Sequence, residues 1–469
     1  MRIKSIEIQN FRCLDQLTLD LAQDVTVLIG KNGAGKSSLI QAIKHGLSFV
    51  FSKDSKVTMG QYAISVSSPS LNIIGYAPED AFYDFEKNDY QYPISIKCFA
   101  TIGVSDRVDD WELLKNTAGG KLLYTKFRDA FDKFRNYHEK EQILPVLAYF
   151  SDSYPHVKTN LGSYAKTMFK SSKPVPQNFG YYQWDQESSS AQIWQKRFIQ
   201  TWNQLKNEQL SQLLDTDSSS LLSDNKAIYG VLESSKKSQE NKEIQYVSSF
   251  LKMFSKSTLD SVSQNPFEIK RIYVAKRLGK EFVELELMDG SKVPFELLPM
   301  GYKRLYYIVF ELAYRAYIIN RGAVAEPSGI VIIDEVDLHL HPSLEQEVLL
   351  RFQRTFPKIQ WIVSTHSPLV ISNLEINKNC KVVQMEMRNQ RVIMKDLPDI
   401  FGVDYNSVIS DFMDTPARNS LINYLENAYV RLIRINNSEK AEEYRLEIQK
   451  LVSPERFTMI MDQLKTRLS

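Results

Sequence analysis

Apolar and polar residues in the first 150 positions follow patterns that predict β-strands around one helix. Ile3, Ile6 and Ile8 form one apolar stretch, and residues 25–29 form an unbroken apolar run. A run of this kind is typical of a strand that is buried on both faces of a parallel sheet. The predicted elements of this part are two strands and a turn within residues 1–29, a helix over 37–51, and strands over 94–99 and 144–150.

After residue 264, strand-like and helix-like patterns return. Residues 330–333 form an apolar run that ends at two carboxylates, and residues 361–363 form a second run one helix later. From about residue 400, apolar residues recur at helical spacing, which predicts amphipathic helices that pack on the preceding domain or on a partner subunit. The predicted elements are strands over 268–274, 281–287, 330–333 and 361–363, a helix over 301–320, and helices with the stripes Leu421, Leu425, Ala428, Leu432 and Phe457, Ile460, Met461, Leu464.

Between these two parts the composition changes. Residues 151–264 are rich in Ser, Gln, Asn and Lys but also carry aromatic clusters, so they form more than a linker. No heptad pattern lasts three or four repeats there, which argues against a long coiled coil and predicts a mainly helical insertion. The chain thus divides into four predicted segments: two halves of one α/β domain over 1–150 and 265–399, the insertion over 151–264, and a C-terminal helical region over 400–469 that is available to bind a partner.

Composition narrows the class of protein. The 469 residues include 58 Lys and Arg and 56 Asp and Glu, and the net charge of +2 argues against a polybasic protein. The three cysteines are an odd number without a C-x-x-C pair, as expected of a reduced, cytoplasmic protein. We see neither a secretory signal nor an uncharged apolar run of the ~20 residues that a membrane span needs. We therefore expect no membrane contact.

A glycine-rich stretch directly after residues 25–29 matches the pattern G-x-x-x-x-G-K-[ST]. Its glycines let several backbone N–H groups face one anion, and the following helix adds its partial positive charge. The lysine reaches the β- and γ-phosphates, and the next hydroxyl coordinates Mg²⁺. Strand, loop and helix in this order favour an ATP site over a chance glycine-rich turn. The predicted nucleotide-binding residues are Gly30, Lys31, Asn32, Gly33, Ala34, Gly35, Lys36, Ser37 and Ser38, with Ser37 also a Mg²⁺ ligand.

Two carboxylates follow the run 330–333. Asp334, at a strand end beside the phosphate loop, is the predicted second Mg²⁺ ligand, through water. Glu335 is the predicted catalytic base that polarises the attacking water. The alternative for this pair is a helix N-cap. His366 ends the next predicted strand and is the predicted catalytic contact to the γ-phosphate, although a single histidine is more often structural.

Two more histidines, His339 and His341, follow the carboxylates. A His-x-His pair can bind zinc, but no third or fourth ligand is near it in the sequence. Three of the six histidines lie between positions 339 and 366, which indicates a functional cluster. We favour an element that contacts a second subunit near its nucleotide.

Together these motifs resemble ABC-type ATPases of the SMC, RecF and OLD group. The resemblance is carried by the phosphate loop after an N-terminal strand, the Asp334-Glu335 pair, Asp-Leu-His-Leu-His-Pro at 337–342 and Ser-Thr-His-Ser-Pro at 364–368. It implies an α/β fold, namely an ABC-type P-loop ATPase head with a mixed sheet and flanking helices. It also implies a homo-oligomer, at least a head-to-head dimer, in which two heads sandwich ATP and Mg²⁺.

In that group the second subunit offers a signature helix that begins roughly Leu-Ser-Gly-Gly or Leu-Ser-Asp-Gly, and the similar stretch here is 298–304. Gly301 fits, and its N–H near a helix start would bind a γ-phosphate in trans. Pro299 stands in place of the usual serine and lacks both a hydroxyl and an N–H, so we expect slow hydrolysis. The alternative is a helix start of no special role. The group's lid glutamine has no clear equivalent, because Gln91 precedes a strand.

A second resemblance lies further along the chain. Residues 401–409 and 413–418 are similar to the ATPase component of the Septu antiphage system and its retron-associated relatives, which implies a separate HNH nuclease as partner. An OLD-type Toprim nuclease domain would need a Glu-Gly, which is absent from the sequence, and an Asp-x-Asp, which occurs only at 215–217 in the insertion. No HNH-like cluster is present either. We therefore expect no intrinsic nuclease activity.

These motifs predict an ATP-binding and hydrolysing ABC-type ATPase that self-associates through its heads and regulates a partner nuclease in antiphage defence. One alternative is a non-hydrolysing nucleotide sensor or scaffold, which the proline in the signature favours. Another is a RecF-like DNA-repair ATPase, against which the near-neutral charge counts. Nucleic acid would be reached through the complex. Basic residues of the head that could touch it are Arg2, Lys4, Arg12, Lys303 and Arg304, with Arg12 alternatively facing the nucleotide.

Overall fold

The computed structural model describes residues 1–51, 73–103, 107–141, 143–155, 175, 177–185, 191–215, 242–257, 265–277, 279–375, 379–413 and 420–468. The chain forms two compact units, Met1–Gly402 and Val403–Ser469. Much of the predicted insertion lies outside the described residues, as do Asp217 of the Asp-x-Asp and residues 414–418 of the second resemblance.

The described part of the larger unit combines strands and helices. Its strands are β1 (Arg2–Phe11), β2 (Leu14–Asp20), β3 (Val25–Ile29), β4 (Phe82–Asp84), β5 (Asp89–Gln91), β6 (Ile94–Thr101), β7 (Val108–Lys115), β8 (Val146–Phe150), β9 (Ile269–Arg277), β10 (Lys280–Leu287), β11 (Lys292–Pro294), β12 (Ser328–Ile333), β13 (Lys358–Ser364), β14 (Cys380–Arg388) and β15 (Arg391–Asp396). Its helices are α1 (Lys36–Leu47), α2 (Thr125–Glu141), α3 (Ala191–Asp215), α4 (Lys242–Ser255), α5 (Met300–Asn320), α6 (Pro342–Glu345), α7 (Val348–Thr355) and α8 (Pro368–Ser372). Within the described residues, no helix is both long enough and apolar enough to cross a bilayer.

A six-stranded sheet forms the centre of this unit, in the order β15-β14-β3-β13-β12-β8. Its strands are parallel except β15, which pairs antiparallel with β14 at one edge. β3 and β8 are buried at every position, which is why they appear in the sequence as unbroken apolar runs. The loops that follow parallel strands open on one edge of the sheet, where ligands bind in such folds. The predicted α/β class with a mixed sheet and flanking helices is confirmed.

An antiparallel sheet in the order β2-β1-β6-β7 packs against α1. At this contact Trp111 Nε1 donates a hydrogen bond to the Gly46 carbonyl at 2.9 Å. The prediction of only two strands within residues 1–29 is wrong, because three form. Leu17 and Leu19 alternate with polar residues, and the stretch from Leu14 to Asp20 pairs with β1, so it forms β2.

The described part of the insertion is largely helical and packs on α5 through α3 and α4. Arg315 of α5, 1 % exposed, donates hydrogen bonds to the carbonyls of Gly180 at 2.7 Å and Tyr182 at 3.1 Å. The same guanidinium pairs with Glu311 at 2.6 Å. These contacts attach the insertion to the α/β domain, while the boundaries of the four segments stay a prediction.

The smaller unit contains α9 (Ser420–Arg434), α10 (Ser438–Leu451) and α11 (Pro454–Leu468), preceded by a short helical stretch over 405–412. We expected their apolar stripes to pack on the preceding domain or on a partner, but the core-facing residues pack on one another. Leu421, predicted to share the first stripe, is 52 % exposed. The buried core of the bundle consists of Leu425, Val430, Ile448, Ile460 and Leu464.

Candidate nucleotide site

The phosphate loop connects β3 to α1 in the predicted position. A Cβ atom on Gly30 would overlap the Met385 carbonyl oxygen of β14, so only glycine fits there. Gly33 and Gly35 adopt φ angles of +80° and +93°, in the left-handed region that favours glycine. α1 begins at Lys36 with Gly35 as its N-cap. Because glycine offers no capping side chain, the first N–H groups of α1 are available to an anion.

Lys36 turns back onto its own loop. Its Nζ donates hydrogen bonds to the carbonyl oxygens of Gly30 at 2.7 Å and Lys31 at 3.2 Å. Burial lowers the pKa of Lys36 from its ordinary value, and the carboxylates of Asp334 and Glu335 raise it in part. Anionic phosphate oxygens would be stronger acceptors for this ammonium group than the two carbonyls.

Asp334 follows β12 and faces the phosphate loop. Its Oδ2 accepts a hydrogen bond from Ser37 Oγ at 3.3 Å, and its Oδ1 accepts one from Ser364 Oγ. Its backbone N–H donates to the Phe150 carbonyl of β8 at 2.8 Å. Two oxygens in neighbouring positions of an octahedral Mg²⁺ shell at ~2.1 Å lie about 3 Å apart, so Ser37 and Asp334 fit a shared cation, directly or through one water.

Glu335 adopts a left-handed backbone conformation, with φ at +52°. This costs about 1–2 kcal/mol for a residue other than glycine and persists where surrounding contacts impose it. Here the Glu335 N–H donates to Ser364 Oγ at 2.8 Å, and its carbonyl accepts a hydrogen bond from Arg304 Nη1. The side chain remains partly exposed. The backbone of the predicted base is therefore held on both sides.

His366 follows β13, which lies between β3 and β12 in the sheet. Its backbone N–H donates to Asp337 Oδ1 at 3.4 Å, and Thr365 Oγ1 donates to the same oxygen at 2.5 Å. These contacts tie the histidine loop to the stretch after Glu335. The structure thus brings the phosphate loop, the carboxylate pair and His366 to one edge of the sheet.

Gly301 begins α5 against a different part of the same chain. A Cβ atom on Gly301 would lie 2.5 Å from the His339 carbonyl oxygen, so a larger residue would displace the 337–341 stretch. Pro299 is the N-cap of α5, and its carbonyl accepts from the Lys303 N–H at 2.9 Å. His341 caps α6 by accepting from the Ser343 N–H at 3.3 Å, a structural role.

Sequence reasoning gave three residues of this edge no role in the site, although Ser364 and Arg304 lie within the motif stretches 364–368 and 298–304. Ser364 bridges Asp334 and Glu335, Arg304 donates to both of their carbonyls, and Ser151 follows β8 beside them. Ser364 and Ser151 could have been found, since each ends or directly follows a predicted strand at the carboxyl side of the sheet. Arg304 carries no comparable signal in the sequence.

Three polar residues named in the sequence analysis have partners within the chain. Arg304 is 1 % exposed, so the expectation that it could touch nucleic acid is wrong. Arg12 pairs with the buried carboxylate of Asp80 at 2.8 Å, which neutralises its charge. Gln91 lies in the β4–β5 hairpin and accepts a hydrogen bond from Lys87 at 3.0 Å, which gives it a local partner.

Comparison with known proteins supplies a family and several relatives. A family model described as an AAA ATPase domain matches residues 1–371. The chain is 23% identical over 400 residues to the Retron Vc95 probable ATPase of Vibrio cholerae serotype O1 biovar El Tor, which covers 80% of this chain and 72% of that protein. It is also 23% identical over 418 residues to the Retron Ec83 probable ATPase of Escherichia coli, covering 80% and 70%.

Two further similarities cover different extents of the chain. The Septu protein PtuA of Bacillus mycoides (strain KBAB4) is 32% identical over 133 residues, which is 28% of this chain and 18% of that protein. Among solved structures, an Smc head domain derived from Pyrococcus furiosus aligns with a TM-score of 0.44 and 13% identity over 84% of this chain and 96% of that one.

Proposed function

Because the chain belongs to the AAA ATPase domain family, we propose that it binds Mg-ATP at residues 30–38 and hydrolyses it. The observation that carries this proposal is the convergence of three loops. Ser37 Oγ meets Asp334 at 3.3 Å, which joins the phosphate loop to the end of β12. Ser364 in turn joins the end of β12 to the end of β13, two residues before His366.

Each group has a defined task in binding. Backbone N–H groups of the loop and the start of α1 would hold the phosphates, and Lys36 would move from two carbonyl oxygens to the β- and γ-phosphates. Ser37 and Asp334 would hold Mg²⁺ through their side-chain oxygens. Bound in this way, the cation neutralises charge on the phosphate oxygens.

Two residues would carry the hydrolytic step. The Glu335 carboxylate accepts the proton of a water that attacks the γ-phosphorus as the bond to the β–γ bridging oxygen breaks, which gives ADP and phosphate. His366 contacts the γ-phosphate from the neighbouring strand end. The proline at position 299 removes two donors from the signature, so turnover is slow.

The site is completed by a second copy of the chain. Gly301 and the start of α5 contact the 337–341 stretch of their own chain. In a head-to-head dimer, the Gly301 N–H would face the γ-phosphate bound by the other subunit. ATP would then stabilise the dimer, and loss of the γ-phosphate would release it.

The biological role that we propose is antiphage defence with a separate HNH nuclease as partner, and with nucleic acid reached through that complex. The similarity to two retron ATPases and to a Septu protein supports it. The C-terminal helical unit, Val403–Ser469, is the proposed contact for that partner. In this proposal the chain itself has no nuclease activity.

Steady-state phosphate release by the purified wild type and by Glu335→Gln tests hydrolysis. We expect Mg²⁺-dependent release by the wild type and at least 100-fold less by the variant, a loss of about 2.7 kcal/mol of transition-state stabilisation. Sedimentation velocity of Glu335→Gln with ATP, and with ADP as control, tests self-association. A wild type that binds ATP without releasing phosphate would instead be a nucleotide sensor. Strong, salt-dependent DNA binding by the isolated chain would favour the DNA-repair alternative.

A further inference from the structure

Arg304 is a buried cation whose hydrogen bonds all run to backbone carbonyls at the end of the central sheet. Its Nη2 donates to Asp334 O at 2.8 Å and to Ser151 O at 3.1 Å, and its Nη1 donates to Glu335 O. One guanidinium therefore joins the ends of β8 and β12. The residue is the fifth of α5, three positions after Gly301.

Arg304 is 1 % exposed, so water does not take the place of its donors. Its three hydrogen bonds fix the geometry of the backbone carbonyls at the ends of β8 and β12. The peptide group after Glu335 is where that geometry matters most, because Glu335 has the strained φ of +52°.

We propose that Arg304 is a positioning residue that couples the signature end of α5 to the catalytic base of the same subunit. When Gly301 of one subunit engages the γ-phosphate held by the other, any shift of the start of α5 is passed through Arg304 to the Glu335 carbonyl. Each subunit would thus align its own base only when its signature is engaged in trans. This inference rests on the proposed function.

Lysine at position 304 should not replace arginine. The guanidinium presents separate nitrogens to carbonyls on two strands, whereas a lysine carries a single ammonium nitrogen at the end of a flexible chain. Arg315 offers a matched control three turns along the same helix. It is likewise 1 % exposed and donates to backbone carbonyls, but those belong to Gly180 and Tyr182 of the insertion.

The test compares Arg304→Lys with Arg315→Lys in the full chain. We expect Arg304→Lys to lower the kcat of ATP hydrolysis at least ~30-fold while the Kd for ATP stays within about 3-fold of the wild type. Arg315→Lys should be destabilised in urea to a similar extent but keep its kcat within about 3-fold, since the hydrogen bonds described for Arg315 run to α5 and the insertion. A kcat loss that is equal in the two variants would overturn the coupling role.

Two further measurements separate positioning from general damage. In a Glu335→Gln background, adding Arg304→Lys should lower kcat no further and should leave ATP-dependent dimerisation unchanged, because both changes act on the same group. If the double variant instead lost kcat by the product of the two single-variant factors, the inference would be overturned. If Arg304→Lys does not fold, Arg304→Gln, which is smaller and uncharged, replaces it in every comparison.

The outcomes also separate this inference from the proposed function. If Glu335→Gln hydrolyses ATP as fast as the wild type, the proposed role of the base is wrong and the coupling role falls with it. If Glu335→Gln is inactive but Arg304→Lys keeps the wild-type kcat, only the coupling role is wrong.

Discussion

Ser364→Ala removes one hydroxyl that contacts Asp334 and Glu335 and leaves the predicted catalytic side chains unchanged. We expect this change to lower ATP hydrolysis. Ser364 is fully buried, and its Oγ donates to Asp334 Oδ1 and accepts from the Glu335 N–H at 2.8 Å. Alanine leaves both groups without this partner. We expect the free energy of unfolding to fall by about 2 kcal/mol, within the range of ~1–3 kcal/mol for a buried polar group left unpaired.

The effect on catalysis should be larger than the effect on stability suggests. Without Ser364 Oγ, the Asp334 carboxylate can rotate and the Glu335 backbone loses one of its two restraints. A misplacement of about 1 Å can cost a reaction ~100-fold, so we expect kcat to fall about 100-fold. Phosphate release measures kcat, and binding of a fluorescent ATP analogue shows whether the nucleotide Kd has changed.

Ser372→Ala is the matched control for this prediction. Ser372 is also buried, but its hydroxyl lies in α8 and accepts from Asn373 Nδ2 at 3.5 Å. The control should keep kcat within about 2-fold of the wild type, as expected for a change outside the site. A Ser364→Ala variant with wild-type kcat would refute the reasoning that this hydroxyl positions the carboxylate pair.

Three further variants test other parts of the structure. Burial lowers the pKa of His45 from 6.5 to about 4, so the unfolded chain binds a proton that the folded chain excludes. The associated stability, about 3 kcal/mol, is complete above pH 6.5 and lost as the pH falls toward 4. Urea titrations at several pH values should show that the free energy of unfolding falls less steeply with decreasing pH in His45→Asn than in the wild type. Equal slopes in the two proteins would contradict this. Gly30→Ala should abolish ATP binding in a fluorescence titration, because the added Cβ would overlap a carbonyl of β14. The control Gly290→Ala, at a φ of +85° in an open turn, should keep ATP binding. Normal ATP affinity in Gly30→Ala would contradict this prediction. Glu311→Gln should lower the free energy of unfolding by about 3 kcal/mol, since it leaves Arg315 without its buried carboxylate. A change below about 1 kcal/mol in chemical denaturation would show that the Glu311–Arg315 ion pair does not stabilise the fold.

The strands that carry the site could be predicted from the sequence because they are almost entirely buried. β3 and β12 are mainly apolar and are followed by chemistry-bearing groups, and both signals are local in sequence. β14 and β15 were not predicted, although β14 lies directly beside β3 and sets the need for glycine at position 30. Neither strand ends in a recognisable motif, and mixed burial weakens their pattern.

What the sequence could not supply is pairing between distant residues. Arg304 lies in a helix that is buried on nearly every face, but nothing in the neighbouring sequence shows that this charged side chain is buried as well. Its burial follows from the approach of α5 to β8 and β12, which only the folded chain defines. The same holds for the C-terminal helices. Their apolar stripes predicted that one face of each helix is buried, but not that the neighbouring helices cover it.

The central claim is that Lys36, Asp334 and Glu335 belong to one Mg-ATP site with separate duties in binding and hydrolysis. Isothermal titration of ATP with Mg²⁺ into the wild type, Lys36→Ala and Glu335→Gln tests it most directly. We predict that Glu335→Gln binds ATP at least as tightly as the wild type and that Lys36→Ala binds at least ~100-fold more weakly, a difference of about 2.7 kcal/mol. Equal, tight binding by Lys36→Ala would contradict the account.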